Sequence, residues 1–149
     1  MHVLQLTRDN FCTVVGLPAM LNDFVQLHRN AKGTVYYDTT FCMGDFYVSC
    51  LLYRNTVFLS KPVMPLLMLV HERRTTESHE LMFSWFAKLT SVSSVVCVAD
   101  REQSITSALL KTLPGSTIVY CWNHILGDIR VCVCTVHVFK SVVVASLLF

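Results

Sequence analysis

The sequence predicts an α/β fold: a mixed sheet with helices packed on its faces. Three observations lead there. Apolar residues make up 53% of the 149 residues and charged residues 15%, which suits a buried core and excludes a disordered chain. Short β-branched or apolar runs recur at 34–38, 46–53, 63–71, 95–99 and 116–121. Segments of helical spacing separate the later runs.

Taken in order, residues 11–28 carry Leu17, Met20, Leu21, Phe24 and Val25 at helical spacing, and Gly16-Leu17-Pro18 can break or start a helix. Asn30 to Gly33 is a turn, and Thr34 to Asp38 is a strand. Met43-Gly44-Asp45 is a second turn, so 46–53 returns as the other half of a hairpin. Arg54-Asn55 turns again. Residues 63–71 (VMPLLMLVH) form a third, almost continuously apolar strand with Pro65 near its start. Leu81, Met82, Trp85, Phe86 and Leu89 then recur at intervals of three and four, predicting a helix over 75–90 capped by Thr76 or Ser78. Residues 95–99 make a fourth strand and 103–113 a second helix stopped by Pro114-Gly115. Residues 116–121 make a fifth strand, and 122–130 begin a third helix. The order βββαβαβα is that of a ribonuclease-H-like domain, with the first strand central and the fourth beside it. Residues 1–130 read as that domain and 131–149 as an apolar tail.

Two aspartates end strands of this pattern. Asp38 closes Thr34-Val35-Tyr36-Tyr37, and Asp100 closes Val95-Val96-Cys97-Val98-Ala99. Carboxylates at the ends of buried strands are costly unless paired or metal-bound. On neighbouring strands they can share a divalent centre, and two such ions roughly 3.5–4 Å apart support phosphodiester chemistry. Mg²⁺ suits oxygen donors and keeps waters. The plainer alternative makes both ordinary loop acids, with Asp100 an N-cap of the following helix. A third carboxylate normally completes such a site. No Glu follows Glu102, and the only later Asp is Asp128. Asp128 is one conceivable donor. Glu102 is another, although two residues past Asp100 it should point away.

A second constellation is Cys121-Trp122-Asn123-His124, half of a zinc spacing that Cys132, Cys134 and His137 would have to complete. Its plainer alternative is a buried thiol and a polar histidine at a helix start.

These stretches resemble the transposase domain of Mutator-like elements, the MULE domain. The matching segments are Tyr37-Asp38-Thr39-Thr40-Phe41, Val98-Ala99-Asp100-Arg101-Glu102, Leu113-Pro114-Gly115-Ser116 and Cys121-Trp122-Asn123-His124-Ile125-Leu126, within roughly residues 10–130. The resemblance implies a DDE transposase with a ribonuclease-H-like fold that cuts and rejoins DNA using Mg²⁺ or Mn²⁺ in the nucleus. Asp38 matches the first catalytic aspartate and Asp100 the second; Cys121 and His124 match a Cys-x-x-His signature before the third acid. That third acid, a Glu on a later helix, has no counterpart, and the similarity fades after Arg130. The expectation is therefore a truncated, incomplete metal site, inactive alone.

A domesticated module that binds DNA or protein without catalysis is the alternative. Its candidate phosphate contacts are Arg73, Arg74 and Arg101, among basic residues that also include Lys32, Arg54, Lys61, Lys111 and Arg130. Solvated surface charge explains them equally well, and a net charge of +2 neither demands nor excludes a nucleic acid. Residues 131–149 are long enough to span a bilayer, which leaves a membrane tether as a further alternative. Lys140 and His137 near their centre argue against it, at roughly 2.5–3.5 kcal/mol for a buried lysine. Seven cysteines, an odd number scattered over the chain, read as reduced intracellular thiols. The charged N-terminus, with Arg8 and Asp9, argues against secretion. A sheet left without its last helices would expose an apolar face and favour self-association.

Overall fold

A computed structural model describes residues 2–6, 11–29 and 33–126. The chain divides into two compact units, 1–119 and 120–149. The first holds strands β1 (His2–Leu6), β2 (Cys12–Gly16), β3 (Thr34–Met43), β4 (Phe46–Arg54), β5 (Val63–His71), β6 (Val96–Ala99) and the start of β7 (Thr117–Tyr120). Its helices are α1 (Pro18–Leu27), α2 (Thr76–Thr90) and α3 (Gln103–Thr112). In the second unit, residues 122–126 are helical. The fold is α/β, as expected.

The strands form one mixed sheet in the order β1-β2-β5-β4-β3-β6-β7. β3, β4 and β5 make an antiparallel meander, while β6 joins β3 in parallel, with Thr34 opposite Val96 and Tyr37 opposite Ala99. Parallel neighbours need a crossover, and α2 supplies it. A bulge between Thr39 and Phe41 interrupts the β3–β4 ladder just past Asp38. Gly44, at φ +63°, turns the hairpin in the left-handed region that glycine enters without strain.

Two strands differ from expectation. Residues 12–16 form β2 and only Pro18 onward is helical, so the helical spacing assigned to 11–28 holds for its second half alone. Thr13, Val14 and Val15 are β-branched, and Val14 opposes Leu69 on β5, so pairing with a buried strand decides their conformation. Pro18 occupies the first helical turn, where its missing N–H costs nothing. β1 was not expected at all; it pairs with β2 at the sheet edge.

The core lies between one face of the sheet and all three helices. Val14, Val35, Tyr37, Leu51, Tyr53, Leu67, Leu69 and Cys97 meet Phe24 of α1, Met82, Phe83 and Phe86 of α2, and Ile105 and Leu109 of α3. Phe24 packs edge-on against both Tyr53 and Phe86, and Tyr37 lies against Phe83. Helices α1, α2 and α3 of the first unit thus share one face of the sheet. The reason is chirality: β5 to β6 and β6 to β7 step in the same direction along the sheet, and right-handed crossovers in one direction put their helices on one side. Alternate residues of β3 and β6, including Tyr36, Val96 and Val98, turn to the other face and are half-buried.

Thr75, rather than Thr76 or Ser78, caps α2; its side chain accepts the Ser78 amide at 3.3 Å. Among the described residues Cys12, Cys50, Cys97 and Cys121 form no disulfide. Burial pushes the Cys97 thiol up to about 12. Among the described residues no helix is long and apolar enough to cross a membrane; residues 131–149 lie outside them.

Phe86→Ala should destabilise the protein by about 3–5 kcal/mol in urea unfolding, because it empties the junction of α1 and α2. Leu110→Ala, on the exposed side of α3, should stay within about 0.5 kcal/mol.

Candidate functional site

Each residue of β3 that pairs with β6 does so at a constant offset, Tyr37 with Ala99 being the last pair. Asp38 and Asp100 are separated in the sequence by that same offset. β6 ends at Ala99, and Asp100 is the residue that follows the last paired position, as Asp38 is on β3. Both are half-buried. Asp38 follows the buried Tyr37, so it turns to the face opposite the helices. Across β4 it opposes Cys50, whose thiol is raised by burial and then by the Asp38 charge.

Asp100 is not the N-cap of α3. That position belongs to Glu102, while the Asp100 carboxylate accepts the Arg101 amide at 2.6 Å. Glu102 is occupied by other partners. Its carboxylate pairs with Arg74, accepts the Ser104 hydroxyl at 2.6 Å and lies 3.9 Å from Nε2 of His79. Arg74 is thus held by Glu102 and stacks over the Tyr47 ring at 5.7 Å. Arg73 and Arg101 are exposed. Lys111 pairs with Glu80 at 2.8 Å, whereas Lys32 and Arg130 lie outside the described residues.

Two aspartates supply hard oxygen donors that suit Mg²⁺ or Mn²⁺, but they do not enclose an ion by themselves. Among the described residues no group of three or more His, Cys, Asp or Glu could hold a metal. Asp128 falls outside those residues. In the second unit Cys121 precedes the helical segment 122–126 and His124 sits within its first turn, both half-buried. Cys132, Cys134 and His137, which would have to complete a zinc set, lie outside the described residues.

A buried polar cluster escaped the sequence reading. His71 and His79 are fully buried, with rings 5.5 Å apart. Nδ1 of His71 faces the Arg73 carbonyl at 2.7 Å and so carries the proton; Nε2 then accepts the Ser49 hydroxyl at 2.9 Å. Ser49 in turn meets the Thr39 hydroxyl at 2.7 Å. The Tyr37 hydroxyl lies 2.7 Å from Nδ1 of His79, while Nε2 of His79 has no hydrogen-bond partner among the described residues. Burial is the largest influence on all three rings. It raises the Tyr37 phenol and lowers both histidines, His79 to about 4. The signal was present in the sequence: His79 stands at the head of the stripe continued by Met82, Phe83 and Phe86, a position that faces the core.

No family model matches the chain, and no curated protein matches it either.

His79 should make the protein acid-sensitive. Its neutral form is favoured by the fold, so the full benefit holds above pH 6.5 and is lost as pH falls toward about 4. Across that window stability should drop by about 1.4 kcal/mol per pH unit for this one proton. His71 adds a contribution of the same sign. His79→Gln, which keeps an acceptor for Tyr37, should flatten the profile in urea titrations between those pH values.

Proposed function

We propose that this chain carries two of the three carboxylates of a Mutator-like DDE transposase site on a ribonuclease-H-like sheet. The observation that supports this reading is the parallel β3–β6 register, whose last pair, Tyr37 with Ala99, immediately precedes Asp38 and Asp100. The order β5-β4-β3-β6-β7 supports it, because a ribonuclease-H-like domain needs a meander whose first strand is central and whose later strands join on the other side. β1, β2 and α1 are additional to that arrangement.

Mg²⁺ or Mn²⁺, when bound, supplies positive charge that stabilises phosphate oxygens and activates water. Asp38 and Asp100 would hold such an ion through one edge of its shell, with waters and a DNA phosphate on the others. Glu102 is committed to Arg74 and leaves the third position open. Positioning is most of what such a centre contributes, so this chain alone binds metal weakly and does not turn over. DNA contact, and with it a nuclear setting, would draw on the exposed Arg73, Arg74 and Arg101.

Mn²⁺ titration followed by paramagnetic relaxation should detect weak binding that both Asp38→Asn and Asp100→Asn remove. Supercoiled plasmid incubated with Mn²⁺ should survive equally with the native chain and with Asp38→Asn; robust cutting abolished by that change would overturn the inactive reading. DNA affinity should fall with salt at a slope of about three phosphate contacts, near −2.7 in log–log form. Failure to bind DNA at low salt would remove the nucleic acid as partner.

A further inference from the structure

On the face of the sheet away from the helices, one row of residues crosses three strands. Asp38 of β3 opposes Cys50 of β4, and Cys50 opposes Met68 of β5. Directly opposed residues of an antiparallel ladder project from the same face, with Cβ atoms about 4.5–5.5 Å apart. Their chain neighbours decide which face that is. Tyr37, Leu51 and Leu67 form the next row, and all three are buried in the core with the helices. Strand alternation therefore turns Asp38, Cys50 and Met68 the other way. Asp38 and Cys50 are half-buried there, and Met68 is 40% exposed.

The row sets a carboxylate, a thiol and a thioether in line. Thiolate and thioether sulfur select soft ions such as Cu⁺, whereas Mg²⁺ prefers oxygen. The Asp38 charge reaches the Cys50 thiol, so both groups would act on one cation placed between them. Burial, and then Asp38, raises that thiol and so disfavours a bare thiolate. A monovalent metal avoids this penalty. As the metal–sulfur bond forms, the thiol proton leaves to water; one positive charge replaces another and the charge of the site is unchanged. The flanks are apolar. Tyr36 and Leu52, opposed to each other on the same face, are half-buried, and Val48 on the other flank is buried. Low-dielectric walls strengthen the attraction between the Asp38 carboxylate and a cation.

We propose that Cys50 and Met68 bind one soft monovalent ion, Cu⁺, through their sulfurs, with the Asp38 carboxylate as the charged partner. The site shares only Asp38 with the proposed divalent centre and takes a different class of metal.

Ag⁺ is an air-stable probe of the same softness. In spectra of the full chain with methyl-labelled methionine, the Met68 resonance should shift and saturate as Ag⁺ is added. Its assignment comes from its loss in Met68→Leu. Cys50→Ser should weaken the response by more than about tenfold, and Asp38→Asn should weaken it less. Met68→Leu conserves volume, so it keeps the fold and removes only the thioether. That variant should hold one equivalent of Cu⁺ fewer than the wild type against bathocuproine disulfonate, while its Mn²⁺ relaxation stays as in the wild type. The proposal is overturned by a Met68 methyl that does not move while Ag⁺ is taken up elsewhere, or by a shift that survives Cys50→Ser. A Met68→Leu chain that holds as much Cu⁺ as the wild type would overturn it too. A Met68 methyl that answers Ag⁺ in a chain binding no Mn²⁺ would uphold this site and remove the two-aspartate reading alone.

Discussion

The parallel pairing of β3 with β6 is the contact on which the rest depends. It joins the antiparallel meander to the strand–helix half of the sheet. Only four residue pairs make it, and a parallel ladder is slightly weaker per residue than an antiparallel one. What secures it is burial. Val35 and Tyr37 on one strand, and Cys97 and Ala99 on the other, face the same apolar layer under α2 and α3. A slip of β6 by one residue would turn Cys97 and Ala99 outward, so the register is fixed by the hydrophobic effect rather than by the hydrogen bonds alone. Asp38 and Asp100 each directly follow a member of the last pair of that ladder.

The two faces at this seam have opposite electrostatic characters. On the helix side, Tyr37, Ser49, His71 and His79 form a neutral polar cluster edged by the Arg74–Glu102 pair. Desolvation keeps the imidazoles uncharged there. On the other side, two carboxylates share a half-exposed surface where hydration and an added cation can offset their mutual repulsion. One strand thus separates a site that resists charge from one that gathers it.

Much of this was legible in the sequence because strand and helix periods are written in apolar spacing. The stripe of Met82 and Phe86 gave α2, the run from Val63 to His71 gave β5, and Pro114-Gly115 marked the end of α3. The first strands were hidden for a physical reason. β2 is five residues long and is followed after one residue by a helix, so a window over both mixes two periods. Its conformation is set by β5, which lies far away in sequence. The aspartate pair was visible as a strand-end pattern, but its place just past the last pair of one ladder needed the register. The commitment of Glu102 to Arg74, and of the histidines to Ser49 and Tyr37, depends on elements distant in the chain. No local pattern encodes such partners, although the helical phase of His79 announced its burial.

The bulge between Thr39 and Phe41 decouples the phase of Asp38 from the length of the hairpin arm. It lies directly after Asp38 and before the Gly44 turn, at the base of the hairpin arm that extends past the end of β6. A bulge absorbs one residue of mismatch without passing it down the ladder. A change of length in the arm beyond it can therefore leave the strand segment bearing Asp38 in phase. A residue inserted in the arm should leave Asp38 in phase, whereas a single inserted residue between Thr34 and Asp38 would move the carboxylate to the other face.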